Sequence, residues 1–159
     1  MQDDSIMIYP ATTESEIAEV RKLFVEYANS LGFSLCFQGF DKELESLPGQ
    51  YTPPAGRLFL SAHNSRIAGC IALKPLDPTT CEMKRLYLRD EFRGLGLGRI
   101  MALKLIEEAR KIGYRTMMLD TIEDKMKSAV SLYRSLGFIP CPPYYHNPIE
   151  GVLYMELKL

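Results

Sequence analysis

The stretch EFRGLGLGR, residues 91–99, places Gly94, Gly96 and Gly98 at alternate positions between two arginines, Arg93 and Arg99. It leads directly into a helix-forming run, RIMALKLIEEARKIG. Glycine costs about 1 kcal/mol relative to alanine in a helix, so three at a helix entrance need a compensating gain. A tight turn needs only one. Three give a backbone surface without Cβ atoms, next to a helix N-terminus whose first amides lack partners and whose dipole favours negative charge. That is an anion site. Each charge-assisted bond from an amide to a phosphate oxygen is worth about 1.5–3 kcal/mol, so two or three outweigh the glycines. The mononucleotide loop G-x-x-x-x-G-K-[ST] is absent. The dinucleotide fingerprint G-x-G-x-x-G fails at Arg99. Asp120 does lie about twenty residues on, at a strand end, where a ribose-binding acid is expected, but an antiparallel meander precedes the glycines.

Other residues carry weaker signals. Cys36, Cys70, Cys81 and Cys141 form no C-x-x-C pair, and His63 and His146 stand apart, which argues against a zinc site. The cysteines read as small apolar side chains in a reducing compartment, Cys70 in a strand core. Glu82 and Lys84 share a strand face by alternation. They read either as a general base with a neighbouring cation or as a surface ion pair. A glutamate near pKa 4.3 is a weak base unless burial raises it. Tyr133 belongs to a helical apolar stripe with Ala129, Leu132 and Leu136, and its helix pattern alone makes it core. The loop CPPYYHNPIEG holds Tyr144, Tyr145 and His146 between prolines, which suits a preformed pocket or a rigid surface turn equally.

These residues need elements to position them. The chain has 159 residues, 47% hydrophobic and 25% charged, with formal net charge −1. That size fits a single domain over 1–159, and the charge creates no global field for nucleic acid. No apolar run reaches membrane-spanning length, and the acidic start MQDDSIMIYP does not read as a secretory signal, so the expectation is a cytoplasmic protein. SIMIY reads as a strand. TTESEIAEVRKLFVEYANSLG reads as a helix with capping-box spacing at Thr13 and Glu16. DKELESL suggests a short helix. RLFLSAH and RIAGCIAL flank Asn64-Ser65 as a hairpin, followed by CEMKRLYL. The glycine segment then opens a helix from about Gly98 to Ile112, with Ile100, Met101, Leu105, Ile106 and Ala109 on its apolar face. RTMMLD is a strand, EDKMKSAVSLYRSLGF a helix closed by Gly137, and VLYMELKL a last strand. The fold class is mixed α/β, antiparallel in the first half. A strand-helix-strand unit from Cys81 to Asp120 makes a parallel pair.

Two motifs bear a family resemblance. RGLGLGR contains R-x-x-G-x-G, and AVSLYRSLGF is similar to A-x-x-L-Y-x-x-x-G-F. Together they resemble the acyl-CoA pyrophosphate loop and the fourth-helix hallmark of the GNAT superfamily of N-acetyltransferases. The order of elements agrees over nearly the whole chain, residues 32–56 excepted. The resemblance implies a central mixed sheet of about seven strands flanked by about four helices, with a parallel β4–β5 pair splayed to hold CoA. It assigns acetyl-CoA binding to the backbone of Leu86, Tyr87 and Leu88 and to Arg93, Gly94, Leu95, Gly96, Leu97, Gly98 and Arg99. It makes Tyr133 the general acid for the leaving thiolate and Glu82 the candidate base. The family often carries an Asn seven residues before this tyrosine, where Met126 stands here.

The resemblance implies transfer of the acetyl group from acetyl-CoA to a primary amine of a small molecule or peptide, by direct attack and without a metal. The acceptor is expected at residues 24–56 and at the proline-rich loop, with Tyr27, Tyr144, Tyr145 and His146 as lining. Nucleic acid and membrane are not expected partners, and a homodimer is compatible with the chain. A non-catalytic acyl-CoA-binding module is the alternative, and it would not need Tyr133. A nicotinamide dinucleotide enzyme is a third reading, and ligand protection by NADH against CoA separates it.

Overall fold

The computed structural model describes residues 5–159, the side chain of Phe37 excepted. The acidic start MQDD lies outside the described residues. The elements are β1 (Ile6–Pro10), α1 (Glu14–Leu31), α2 (Phe40–Ser46), β2 (Arg57–His63), β3 (Arg66–Asp77), β4 (Thr80–Leu88), α3 (Leu97–Ile112), β5 (Thr116–Ile122), α4 (Lys127–Ser135), β6 (Ile139–Pro140) and β7 (Val152–Lys158). Short 3-10 turns cover Cys36–Gln38, Gly49–Tyr51 and Asp90–Phe92. The strands form one seven-stranded sheet in the order β1-β2-β3-β4-β5-β7-β6. Only β4 and β5 pair in parallel.

Local chemistry accounts for most boundaries. Thr13 and Glu16 form the expected capping box at α1, with Thr13 Oγ1 accepting from the Glu16 amide. Asn64 and Ser65 both have positive φ, 51° and 67°, as a tight turn matched to strand twist requires. Gly113 ends α3 in the left-handed region. Strands β2 and β3 read as nearly continuous apolar runs because both faces are covered. Phe59, Ile71 and Leu73 pack with Met101 and Leu105 of α3. Leu58, Leu60, Cys70 and Ala72 pack with Val20, Leu23 and Phe24 of α1.

Three local expectations need correction. Ile100 is exposed, because the buried stripe of α3 runs through Leu97, Met101, Ala102, Leu105, Ile106 and Ala109. Helix α4 begins at Lys127 rather than near Glu123, since the chain first turns back onto Ile122 through the Lys125 and Met126 amides. β6 is a strand that the sequence pattern did not show: two residues, one of them proline, pair with Glu156 and Met155 of β7 at the sheet edge.

Candidate active site

The site originates where two strands part. β4 and β5 pair at only three positions, Thr80–Thr116, Cys81–Met117 and Glu82–Met118, and beyond these they separate. Part of the divergence is built by a bulge. Cys70 pairs with Tyr87 and Ala72 with Lys84, so Ile71 faces both Arg85 and Leu86. Arg85 takes φ 60°, a strained value for a residue with a long side chain. The extra residue sends the side chains of both Lys84 and Arg85 to the α1–α2 side. Leu86 and Leu88 turn to the α3 side, and Tyr87 returns to the α1 side. Gly69 lets β3 follow this distortion, because a Cβ there would collide with the Tyr87 carbonyl oxygen.

Between the parted strands lies a cavity of about 820 Å³. Met83–Leu88 form one wall and Leu119–Ile122 the other. The glycine segment closes one end. Gly94 and Gly96 both have φ 79° and nothing within 4 Å of where a Cβ would stand. Gly96 is the N-cap of α3, and the amides of Gly94 through Arg99 donate to no protein group among the described residues. A run of orphan amides beside a helix N-terminus matches the donor set that a pyrophosphate requires. Arg93 and Arg99 line the same end. Arg93 Nε donates to the Leu88 carbonyl at 3.1 Å, and Arg99 Nη1 to Ser135 Oγ at 2.9 Å. Leu97 is fully buried beneath the loop, whereas Leu95 is exposed and lies outside the lining.

Tyr133 of α4 borders the same cavity, with its ring edge-on to Phe138. Among the described residues its hydroxyl has no hydrogen-bond partner. Burial, then the nearby Tyr27 and Asp120, pushes its pKa above the ordinary phenol value, so it holds its proton at neutral pH. Met126, at the N-cap of α4, accepts from Thr121 Oγ1 at 3.2 Å through its sulfur.

Another part of the cavity wall joins residues distant in sequence. Asp120 faces the cavity from β5. Its Oδ2 accepts from the Tyr145 hydroxyl and, at 3.0 Å, from Asn147 Nδ2, while Oδ1 has no protein partner among the described residues. Gln38 Nε2 donates to the Tyr145 hydroxyl at 3.1 Å, and Lys84 Nζ lies 3.4 Å from Gln38 Oε1. Arg85 is held in a two-pronged pair by Glu43, with contacts of 3.0 and 2.9 Å. Tyr27 lines this wall and meets Tyr87 edge-on.

Glu82 is only 2% exposed and does not border the cavity. It accepts a hydrogen bond from the Tyr144 hydroxyl and lies 3.9 Å from Lys84 Nζ. Tyr144 and Tyr145 stack with Tyr154 behind the wall, outside the cavity lining, and burial and then their carboxylate partners raise both phenols. His146 is exposed and away from the cavity. Among the described residues no His, Cys, Asp and Glu cluster is arranged to hold a metal. Burial pushes the Cys81 thiol up to about 12, which leaves it inert as a nucleophile.

The arrangement is a strand wedge whose lining holds an anion cradle and a protonated phenol. Residues 18–138 match the acetyltransferase (GNAT) family model. The chain belongs to the GNAT family of acetyltransferases. It is 40% identical over its whole length to a Schizosaccharomyces pombe protein named an uncharacterized N-acetyltransferase, covering 98% of that protein. A Dictyostelium discoideum protein with the same kind of name is 30% identical, over 91% of this chain and 95% of its own. A GNAT acetyltransferase from Elizabethkingia anophelis, solved with acetyl-CoA bound, superposes with a TM-score of 0.72 at 23% identity, covering 99% of this chain and all of that one. As a GNAT acetyltransferase the chain is an acyltransferase that uses acetyl-CoA, and its wedge and glycine cradle fit that donor. No helix among the described residues is long and apolar enough to cross a membrane.

Sequence reasoning under-used three residues of this GNAT site. Gln38 lay in a segment without a motif. Lys84 entered only as a neighbour of Glu82. Asp120 was weighed only against a dinucleotide pocket, although an acid at the end of the strand after the glycine helix was a legible signal.

Proposed function

We propose that residues 1–159 form one catalytic domain, working in the cytoplasm, that transfers the acetyl group of acetyl-CoA to a primary amine by direct attack in a ternary complex. The observation that carries this is the cavity: one space holds the orphan amides of Gly94–Arg99, the Tyr133 hydroxyl and a free carboxylate oxygen of Asp120. A donor-binding module without chemistry would need only the first.

Acetyl-CoA supplies an activated thioester when bound. The Gly94–Arg99 amides, with Arg93 and Arg99, hold its phosphates. The β4 backbone from Leu86 to Leu88, unpaired on its β5 side, offers N–H and C=O groups to the amides of its arm. Tyr133 keeps its hydroxyl proton until the departing sulfur takes it. Asp120 Oδ1 receives the acceptor's amine and takes an N–H proton as the nitrogen attacks. Glu82 supports this from behind, orienting Tyr144 and standing near Lys84, because a carboxylate this deeply buried does not reach the acceptor. Four free cysteines suit a reducing compartment.

The test combines thermal denaturation with and without acetyl-CoA and a free-thiol assay across primary amines. Stabilisation by acetyl-CoA with amine-dependent thiol release is the expected result. Stabilisation with no amine-dependent release for any amine would reduce the protein to a binding module.

A further inference from the structure

The wall that carries Asp120 also contains a buried cation whose protein partners are both distant. The Lys84 side chain is 10% exposed and borders the cavity. Its nearest acceptor, Gln38 Oε1, is 3.4 Å away, beyond the usual 2.7–3.2 Å of an N–H···O bond. Glu82 pairs with Lys84 only loosely, through Oε1 at 3.9 Å, while its other oxygen, Oε2, accepts from the Tyr144 hydroxyl. Arg85, the adjacent cation, is already paired through Nε and Nη2 with both oxygens of Glu43. A buried ammonium with three donors and no bond of ordinary length is costly unless an anion completes it. Burial, then the charge of Arg85, pulls the Lys84 pKa below its ordinary value, against the pull of Glu82 and Glu43. An anion arriving from the cavity reverses that.

Asp120 is the complementary feature, a residue lining the same cavity whose Oδ1 has no protein partner among the described residues. Only the side chains of Gln38 and Tyr145 separate the two groups, in the chain Lys84–Gln38–Tyr145–Asp120. We propose that the acceptor is a primary amine that also carries a carboxylate, an amino acid in the chemical sense, with its amine on Asp120 and its carboxylate on Lys84. The inference rests on the acetyltransferase reading above and narrows its substrate class. Lys84 then determines specificity rather than taking part in the transfer. The Gln38–Tyr145 bridge fixes the separation of the two charges, and so the distance from amine to carboxylate in a good acceptor.

The test uses α-, β- and γ-amino acids as probes, each beside its methyl ester, with acetyl-CoA saturating and free thiol as the readout. At least one free acid is expected to exceed its ester in kcat/KM by about 10- to 100-fold, the worth of one charge-assisted hydrogen bond. Lys84→Met is expected to abolish that preference by raising KM for the acid far more than KM for the ester or for acetyl-CoA. Lys84→Arg is expected to restore part of it. Acids and esters used equally by the unaltered protein overturn the proposal, and that comparison needs no variant to fold. An equal loss for acid and ester in Lys84→Met also overturns it, by showing a structural role. Stabilisation by acetyl-CoA with turnover only of uncharged amines overturns this proposal and leaves the acetyltransferase reading intact. Absence of both stabilisation and turnover overturns the two together.

Discussion

Gly98 separates what the fold needs from what the donor needs. Unlike Gly94 and Gly96, it does not have a positive φ. A Cβ built on it would sit 3.6 Å from Leu132 Cδ2 and 3.7 Å from Leu88 Cδ1, both ordinary van der Waals contacts. Gly98→Ala therefore fits the folded protein without strain. Alanine in place of glycine in a helix is favourable by about 0.5–1 kcal/mol, or about 1–4 °C in Tm for a chain of this size. The new methyl group would nonetheless stand among Leu88, Leu132 and the α3 amides, all bordering the cavity. There it would hold the donor's phosphates away from at least one amide. Losing one such bond costs about 1.5–3 kcal/mol, which weakens acetyl-CoA binding about 10- to 150-fold. Calorimetric titration with acetyl-CoA, alongside melting of the apo variant, reads both quantities. A raised apo Tm with weakened binding is the expected pair. A variant that binds acetyl-CoA as tightly as the unaltered protein would refute the phosphate assignment of this helix end.

Tyr133→Phe should lower kcat by about 10²–10⁴ with little change in acetyl-CoA affinity, because the role proposed for the hydroxyl is on the leaving sulfur and it has no hydrogen-bond partner among the described residues; single-turnover kinetics with a titrated donor check it. Asp120→Asn should lower kcat/KM for the amine and flatten its dependence on pH, whereas Glu82→Gln should lower Tm and leave the shape of the profile intact. Matching changes in shape from the two variants would return the base to Glu82. Glu43→Gln should destabilise the protein by about 3–5 kcal/mol at pH 7, since it leaves the buried Arg85 uncompensated. Burial alone would raise the Glu43 carboxyl, but the hydrogen bonds and charge of Arg85 outweigh it and hold the folded pKa below the unfolded value of about 4.3. That contribution is therefore complete above the unfolded pKa and is lost as pH falls through the folded one. Denaturation followed from pH 6 downward should show a larger acid-dependent loss in the unaltered protein than in Glu43→Gln, which lacks this carboxyl's share.

Several parts of this protein were written locally in its chain. The capping box at Thr13, the Asn64-Ser65 turn, the glycine entrance to α3 and its Gly113 stop each depend on a few neighbouring residues and on backbone sterics, so their spacing suffices to read them. The donor end of the site belongs to this class, because a phosphate cradle is one contiguous loop and its helix. The parallel β4–β5 pair also followed from a strand, a helix and a strand in succession. The end proposed for the acceptor was decided only by the tertiary fold. Strict alternation along β4 places Lys84 and Arg85 on opposite faces, and the bulge at Arg85 brings both to the α1–α2 side. By alternation Glu82 reads equally as a base or as half of a surface ion pair, yet the packed tyrosines of the 141–151 loop cover it and Tyr144 donates to it. Asp120 meets Tyr145, and Lys84 meets Gln38, across separations of 25 and 46 residues. No local pattern encodes such pairs, because the free energy that selects them comes from packing two sheet faces and closing a loop over a strand gap.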